Sequence, residues 1–350
     1  MKHSVFKSWE AMLAVVLVVE LGVLGLINPA FLNVENLLFS TSDFAHVIIC
    51  AVGLTLVIMT GGMDISGVSV MGLSSIVLGL AYVAGVPIWG GVALALVVGL
   101  CAGAFNGAVI AKTDVNPLVI TLAMLFFYAG LASGLPTLLD MMGFAVAGAG
   151  GFEAYQYEGI SGLPKTFTWV GTGALGWVPV PLIITVTLAA GATWLMHRTR
   201  FGRFLKLIGV SDPVARFTGV PVTRTLVTVY ALNGFACAVA GLVLSAYFTS
   251  ARADLGAEAL LNIITAVVLG GSSIYGGQGS VLGTFLAGLV LGFLRQGLLA
   301  LGISSDVVPV IVGVLLIGSV ALKIGMGVLA SRRANRTAYE AELRAVGGNG

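Results

Sequence analysis

Ten apolar runs, most of them close to twenty residues and nearly free of charge, recur along this 350-residue chain. They fall near 11–27, 44–60, 67–84, 88–111, 117–139, 179–197, 225–250, 259–274, 280–295 and 307–324. A hydrocarbon core about 30 Å thick is crossed by about 20 apolar residues in helical form. The repetition predicts an all-α polytopic transmembrane helical bundle of about ten spans, several of them short. With 58% apolar and only 9% charged residues, the chain is excluded from the ordinary soluble class, where charged residues make up about 25%.

The charge that is present is unevenly placed. Between two apolar runs, His197-Arg198-Thr199-Arg200-Phe201-Gly202-Arg203 and the following stretch to Arg224 hold six of the seventeen Lys and Arg residues. At about 2.5–3.5 kcal/mol for each Arg or Lys at a bilayer centre, burying them would cost on the order of 15–20 kcal/mol, so the segment lies in water or headgroups. The positive-inside bias assigns it to the cytoplasm. Counting spans outward then puts both termini in the cytoplasm and leaves only Lys165, Arg252 and Arg295 of the basic residues outside. Lys2 and Lys7 precede an uncleaved first span rather than a signal peptide, since no small-residue cleavage site follows.

Once the spans are subtracted, short tails and two loops remain: a basic loop at 198–224 and a glycine-rich outer loop at 140–178. The outer loop carries Phe144, Phe152, Tyr155, Tyr157, Phe167, Trp169 and Trp177, which suit either an interfacial aromatic belt or a docking surface. Residues 1–330 read as one transmembrane domain and 331–350 as a frayed basic cytoplasmic tail. No G-x-x-x-x-G-K-[ST] phosphate loop occurs, so any ATP hydrolysis has to come from a partner chain. No His, Asp or Glu cluster at ligand spacing suggests a metal, a cofactor or an enzyme, and a net charge of +2 gives no reason to expect nucleic acid. Cys50, Cys101 and Cys237 lie within apolar runs and read as buried small hydrophobes.

Two glycine-centred breaks interrupt the apolar pattern. Thr60-Gly61-Gly62-Met63-Asp64-Ile65-Ser66-Gly67 follows one run, and Leu269-Gly270-Gly271-Ser272-Ser273-Ile274-Tyr275-Gly276-Gly277-Gln278-Gly279 follows another. Paired interruptions of this kind mark either moving parts of a transporter or tight turns between helices. Ionisable residues within the runs are scarce: Glu20 is the clear case, His46 lies near a run end, and Asp64 sits in a break, suited to a helix-start cap or to solute contact. Asn106, Asn116, Thr121, Asn233 and Asn262 supply neutral polar groups, for helix–helix hydrogen bonds or for a path taken by a hydroxyl-rich solute. That scarcity disfavours an ion-coupled carrier or channel acting alone.

These residues resemble the ribose-type permease family of ATP-binding-cassette importers across nearly the whole chain. Thr60-Gly-Gly-Met-Asp64-Ile-Ser66 is similar to the family's T-G-G-I-D-L-S. Asn106-Gly107 with Asn116-Pro117-Leu-Val-Ile-Thr121-Leu122 is similar to N-G … P-F-I-V-T-L. Thr199-Arg-Phe-Gly202-Arg203 with Ile208-Gly209, Ala215-Arg216 and Gly219-Val220 follows T-x-x-G-R … I-G … A-A/R … G-I. Ala266-Val-Val-Leu-Gly270-Gly271 through Gly276-Gly277-Gln-Gly279 follows A-V-V-L-G-G-x-S-x-x-G-G-x-G. Within the family, Asn36 to Phe44, Val115 to Leu122, Tyr157 to Pro164 and Ser250 to Gly256 resemble the autoinducer-2 branch. One departure is Ser66-Gly67-Val68-Ser69, where the family reads S-V-G-S, which shifts the glycine and so the hinge.

The resemblance implies an inner-membrane importer permease with no cofactor of its own. Its implied partners are a second, different permease subunit, two cytoplasmic ATP-binding subunits and a periplasmic solute-binding protein. It also implies that the loop after the sixth span docks a short coupling helix into the ATPase, through Arg203, Gly209, Asp212, Ala215, Arg216 and Gly219. Pro213 suits the first turn of such a helix, Asp212 its N-cap and Gly219 its stop. Gly61, Gly62, Asp64, Asn106, Asn116, Thr121, Gly270 and Gly271 are the pathway or hinge candidates.

Overall fold

The computed structural model describes residues 3–113, 115–142, 159–304 and parts of 307–321. The tail at 331–350, part of the run at 307–324, and Phe144, Phe152, Tyr155 and Tyr157 of the outer loop lie outside the described residues. The chain runs through α1 (His3–Ile27), α2 (Val34–Ser40), α3 (Ala45–Ile58), α4 (Gly67–Val83), α5 (Ile88–Lys112) and α6 (Pro117–Met141). It continues through α7 (Lys165–Thr172), α8 (Val180–Arg198), α9 (Arg200–Val210), α10 (Asp212–Phe217), α11 (Val222–Tyr247), α12 (Leu260–Leu269) and α13 (Val281–Ala300). A two-stranded antiparallel hairpin, Ala174–Leu175 with Val178–Pro179, leads into α8.

Among the described residues, α1, α5, α6, α8, α11 and α13 are long and apolar enough to cross a membrane, and α2 with α3, bent by 62° at the break between them, is long and apolar enough for a seventh span. The chain is a multi-pass, all-α membrane protein. Two of the apolar runs form shorter helices: α4 has 17 residues, at the lower limit for a span, and α12 only 10, too few to cross alone. At 1.5 Å per residue, α12 covers about 15 Å, half of the hydrocarbon thickness.

Helix α3 is buried along its whole length, as expected of a helix that is apolar on every side, and α8, α11, α12 and α13 pack around it. The tightest seam joins α5 to α11. Gly99, Gly103 and Gly107 recur every fourth residue on α5, and a Cβ at Gly103 would run into the Tyr230 carbonyl while one at Gly107 would lie 2.8 Å from Val227 Cα. Small residues at this spacing let two backbones approach and gain dispersion contacts in a medium that gives no hydrophobic drive between helices. At the other edge α1 lies on α13: Trp9 Nε1 donates to the Leu269 carbonyl at 2.9 Å, Ser280 Oγ bonds Glu10, and Leu24 packs on Gly297. Glu20, on the same helix, turns its carboxylate inward with no hydrogen-bond partner among the described residues.

Two expectations need correction. Cys50 and Cys237 are buried, but Cys101 is exposed on the outward side of α5 with Val97, Leu100 and Phe105, because the inward side of that helix is taken by the glycines. Of the outer-loop aromatics that are described, Trp169 and Trp177 are exposed whereas Phe167 is buried.

Candidate functional site

The basic segment folds as two helices set at one end of the bundle. Thr199 interrupts the helix in extended conformation (φ −112°, ψ 163°), and its hydroxyl accepts the Gly202 N–H, so α9 starts with a side-chain cap. Leu205 and Ile208 of α9 face inward, while Arg203 is exposed. Helix α10 is shorter and differs from the expected capping in one respect. Ser211, extended at φ −166°, holds the N-cap position, and Asp212 is the first helical residue. The Asp212 carboxylate instead takes the Arg216 guanidinium at 2.6 Å and 3.3 Å, an i to i+4 pair along the helix. Pro213 lies in the first turn, and Gly219 (φ 79°) ends the element in the left-handed conformation that glycine adopts freely. Ala215 is fully buried against Ile208, Val220, Val222 and Leu226, which fastens α10 to the foot of α11, while Val214 and Phe217 on its other side stand 57% and 94% exposed.

This module meets both glycine breaks at one point. A Cβ on Gly209 would strike the Met59 carbonyl oxygen and the Gly277 N–H, which are themselves hydrogen-bonded at 2.9 Å. One on Gly276 would lie 2.7 Å from Gly61 Cα and 2.9 Å from the Gly209 carbonyl. The end of α9, the turn after α3 and the turn before α13 are thus in backbone contact, and Gly61 (φ 80°), Gly276 (φ 85°) and Gly277 (φ 74°) supply the conformations that the turns need. Gly270 packs on the Gly283–Thr284 backbone at the start of α13, and Gly271 (φ 94°) leaves room for the Trp9 ring. A cavity of about 1030 Å³ opens beside this junction, lined by Gly61, Gly62, Asn116, Asp212, Arg216 and Tyr230. Asn116 itself caps α6, accepting the Leu118 N–H at 2.9 Å.

Asp64 lies deeper and is 5% exposed. Its Oδ1 accepts the Ser66 N–H at 3.0 Å and the Ser66 hydroxyl at 2.6 Å, and its Oδ2 accepts Asn233 Nδ2 at 3.0 Å. Asn106 Nδ2 donates to Ser66 Oγ at 2.8 Å, and the Tyr128 hydroxyl lies 2.9 Å from Asn106 Oδ1 and 3.0 Å from the Ala102 carbonyl. Thr121 Oγ1 donates to the Met63 carbonyl at 3.2 Å. Four helices are tied through this one break: α4 through Ser66, α5 through Asn106, α6 through Tyr128 and Thr121, and α11 through Asn233. Buried polar groups joined in such a network hold a unique arrangement and have little hydrogen-bonding capacity left for a ligand. Gly67, the residue at which this chain departs from the family pattern, opens α4 where a Cβ would come within 2.7 Å of Cys237 Sγ.

Tyr128 and Tyr230 belong to this region and are not among the residues that the sequence points to; a lone tyrosine in an apolar run carries no signal. The α5 glycines did carry one, since a small residue at every fourth position is a helix-packing pattern.

Apolar helices broken at two turns are joined here by backbone contact to a basic surface module, an arrangement suited to a membrane transport subunit. The chain belongs to the permease family described as "Branched-chain amino acid transport system / permease component", whose family model matches residues 36–320. It is similar to proteins named "Autoinducer 2 import system permease protein LsrD". The relative from Yersinia enterocolitica is 47% identical over 309 residues, 88% of this chain and 89% of the relative. That from Salmonella typhimurium is 46% identical over 310 residues, 89% and 90% of the two chains, and that from Yersinia pseudotuberculosis 46% over 309 residues, 88% and 89%.

Proposed function

We propose that this chain is one permease subunit of an ATP-driven importer that carries autoinducer-2, or a close sugar-derived solute, across the cell inner membrane. Identity of 46–47% to permeases named for autoinducer-2 import supports the solute. The lack of a phosphate loop supports an external engine: two cytoplasmic ATP-binding subunits, working with a second, different permease and a periplasmic solute-binding protein. In this reading residues 1–330 form the permease domain, with about ten spans and both termini cytoplasmic. Loop 198–224 is the coupling element, loop 140–178 faces the periplasm, and 331–350 is a cytoplasmic tail.

The observation that carries the reading is the three-way backbone contact of Gly209, Met59–Gly61 and Gly276–Gly277. An ATPase that grips the exposed Val214 and Phe217 surface of α10 displaces α9, and α9 has no side-chain cushion between it and either break. Motion of the module therefore reaches α3–α4 and α12–α13 as a rigid-body shift. Gly61, Gly62, Gly270 and Gly271 act as the hinge points, and Arg203, Asp212 and Arg216 orient the docked surface.

Cells carrying the complete importer take up autoinducer-2 only when this chain is present, and Gly209→Trp and Ala215→Arg abolish that uptake while the subunit still inserts and co-purifies with its partners. Normal uptake by both variants would remove the coupling role. Uptake of D-ribose or L-rhamnose in place of autoinducer-2 would keep the permease and change its solute.

A further inference from the structure

By sequence, Arg252 and Asp254 belong to an outer loop between two spans. The fold carries them elsewhere. Beyond Tyr247 the chain turns at Thr249, a β-branched residue held at φ 53°, a conformation that such residues avoid. It then pairs with Ile160 through Ala251 in an antiparallel bridge (N–H to O 2.8 Å and 2.9 Å). From there it runs down the side of α4. Ala251 lies against Gly79, the Arg252 N–H donates to Ser75 Oγ at 2.9 Å, and the Ala253 carbonyl packs so closely on Gly72 that no Cβ fits there. The depth can be read from α5. Ser74 Oγ lies 3.4 Å from the Cβ position of Gly99, the twelfth of the 25 residues of α5. The Arg252 backbone is therefore level with the middle of a full membrane span, and α12 supplies only the half-span below it.

Irregular backbone at that depth occurs where it lines a cavity or is buried in protein, and here it does line one. A recess of about 530 Å³ lies between the descending segment, α4 and α6, bounded by Ser69, Phe126, Ser133, Arg252 and Asp254. Ser69 bonds the Leu125 carbonyl, and Leu125 to Ser133 is the middle stretch of the 25-residue α6. Arg252 and Asp254 pair at 2.8 Å and 2.5 Å, with side chains 48% and 61% exposed. An exposed Arg and Asp at mid-depth cannot face lipid, where each costs about 2.5–3.5 kcal/mol. The pair therefore faces water or another protein surface.

We infer that this recess is a mid-membrane solute site for a small, neutral, polyhydroxylated ring compound. The Arg252–Asp254 pair offers a rigid donor fork beside a carboxylate acceptor, which suits adjacent hydroxyls. Ser133 offers a further hydroxyl, Ser69 an acceptor oxygen whose proton is held by the Leu125 carbonyl, and the 69% exposed Phe126 gives an apolar wall for ring C–H groups. A few polar groups on an apolar wall in 300–1,000 Å³ are the usual make-up of a small-molecule site. The inference rests on the transport reading above and adds where the solute is held.

The test uses the complete importer in cells, with autoinducer-2 and D-ribose as probes. Asp254→Asn and Arg252→Gln lower uptake of the transported probe about tenfold or more at subsaturating concentration, the loss of a charge-assisted hydrogen bond. Ser133→Cys is modified at residue 133 by a charged, water-soluble thiol reagent, read by peptide mass, and the transported probe slows the modification. No uptake of either probe by the unaltered complex overturns the transport reading and this inference with it. Uptake by the unaltered complex combined with parental rates in both charge variants, or with a residue 133 that the charged reagent never reaches, overturns the site alone.

Discussion

Asp64 and Asp254 are both aspartates set within the helical bundle, one flanking each side of α4. Asp64 is buried, and each carboxylate oxygen is held by protein: Ser66 on one, Asn233 on the other. Asp254 has Arg252 for its partner and keeps 61% of its side-chain surface open to a recess. The difference teaches that a polar residue in a membrane protein is sorted by what remains of its hydrogen-bonding capacity, not by its presence. The Asp64 centre spends its groups on joining four helices. The Arg252–Asp254 centre leaves donors and acceptors free to meet something that arrives.

The contrast breaks most readily at Asp64. Asp64→Ala strips the Ser66 hydroxyl, the Ser66 N–H and Asn233 Nδ2 of their acceptor inside the bundle. It is expected to cost on the order of 3 kcal/mol, read as a lowered thermal midpoint of the purified subunit in detergent. If the midpoint holds while uptake is lost, Asp64 acts on solute and the two centres are alike. Asn233→Leu removes one arm of the network and leaves the Ser66 bonds, so about 1 kcal/mol is expected, together with wild-type insertion. Tyr128→Phe deletes a hydroxyl at the far end of the chain of bonds. Its shift is expected near 0.6 kcal/mol, the average for an interhelical hydrogen bond in a membrane protein, and an effect as large as that of Asp64→Ala would mean that the network has no centre.

Much of this was legible before the fold. Apolar runs marked α1, α3 to α6, α8 and α11 to α13 but not the short α2 and α7, the Arg-rich loop marked the surface module of α9 and α10, and the two Gly-Gly turns marked where α3 and α12 end. The Asp64 pair with Asn233 was not legible, because 169 residues separate its partners and only packing of α3 and α4 on α11 brings them together. The run near 259–274 hides how short its helix is, for a physical reason. Hydropathy scores composition over a window, so a 10-residue helix followed by a Gly-Ser turn reads like one continuous helical run. What distinguishes it is the chain before it, where Thr249, Gly256 (φ 89°) and the small residues Ala251 and Ala253 let extended backbone lie against Gly72 and Gly79. A periodicity search has no means of seeing an extended strand pressed on a helix. Asp212 misled in a smaller way: it stands one residue inside the helix and prefers Arg216, four residues on, to a capping bond.

The smallest expected change in stability belongs to the other centre, and it sharpens the comparison most. The Arg252–Asp254 pair is half exposed, and exposed ion pairs are worth about 0.5 kcal/mol or less once solvent screening and side-chain entropy are counted. The double variant Arg252→Gln with Asp254→Asn should therefore keep the thermal midpoint within a degree or two of the parent, although uptake falls. Asp64→Ala shows the reverse order, with stability lost first and uptake lost because of it. A double variant that melts as early as Asp64→Ala would make the pair a structural brace for the descending segment. The backbone bonds of that segment to Ser75 and Ile160 argue against this, since they hold its path without either charged side chain.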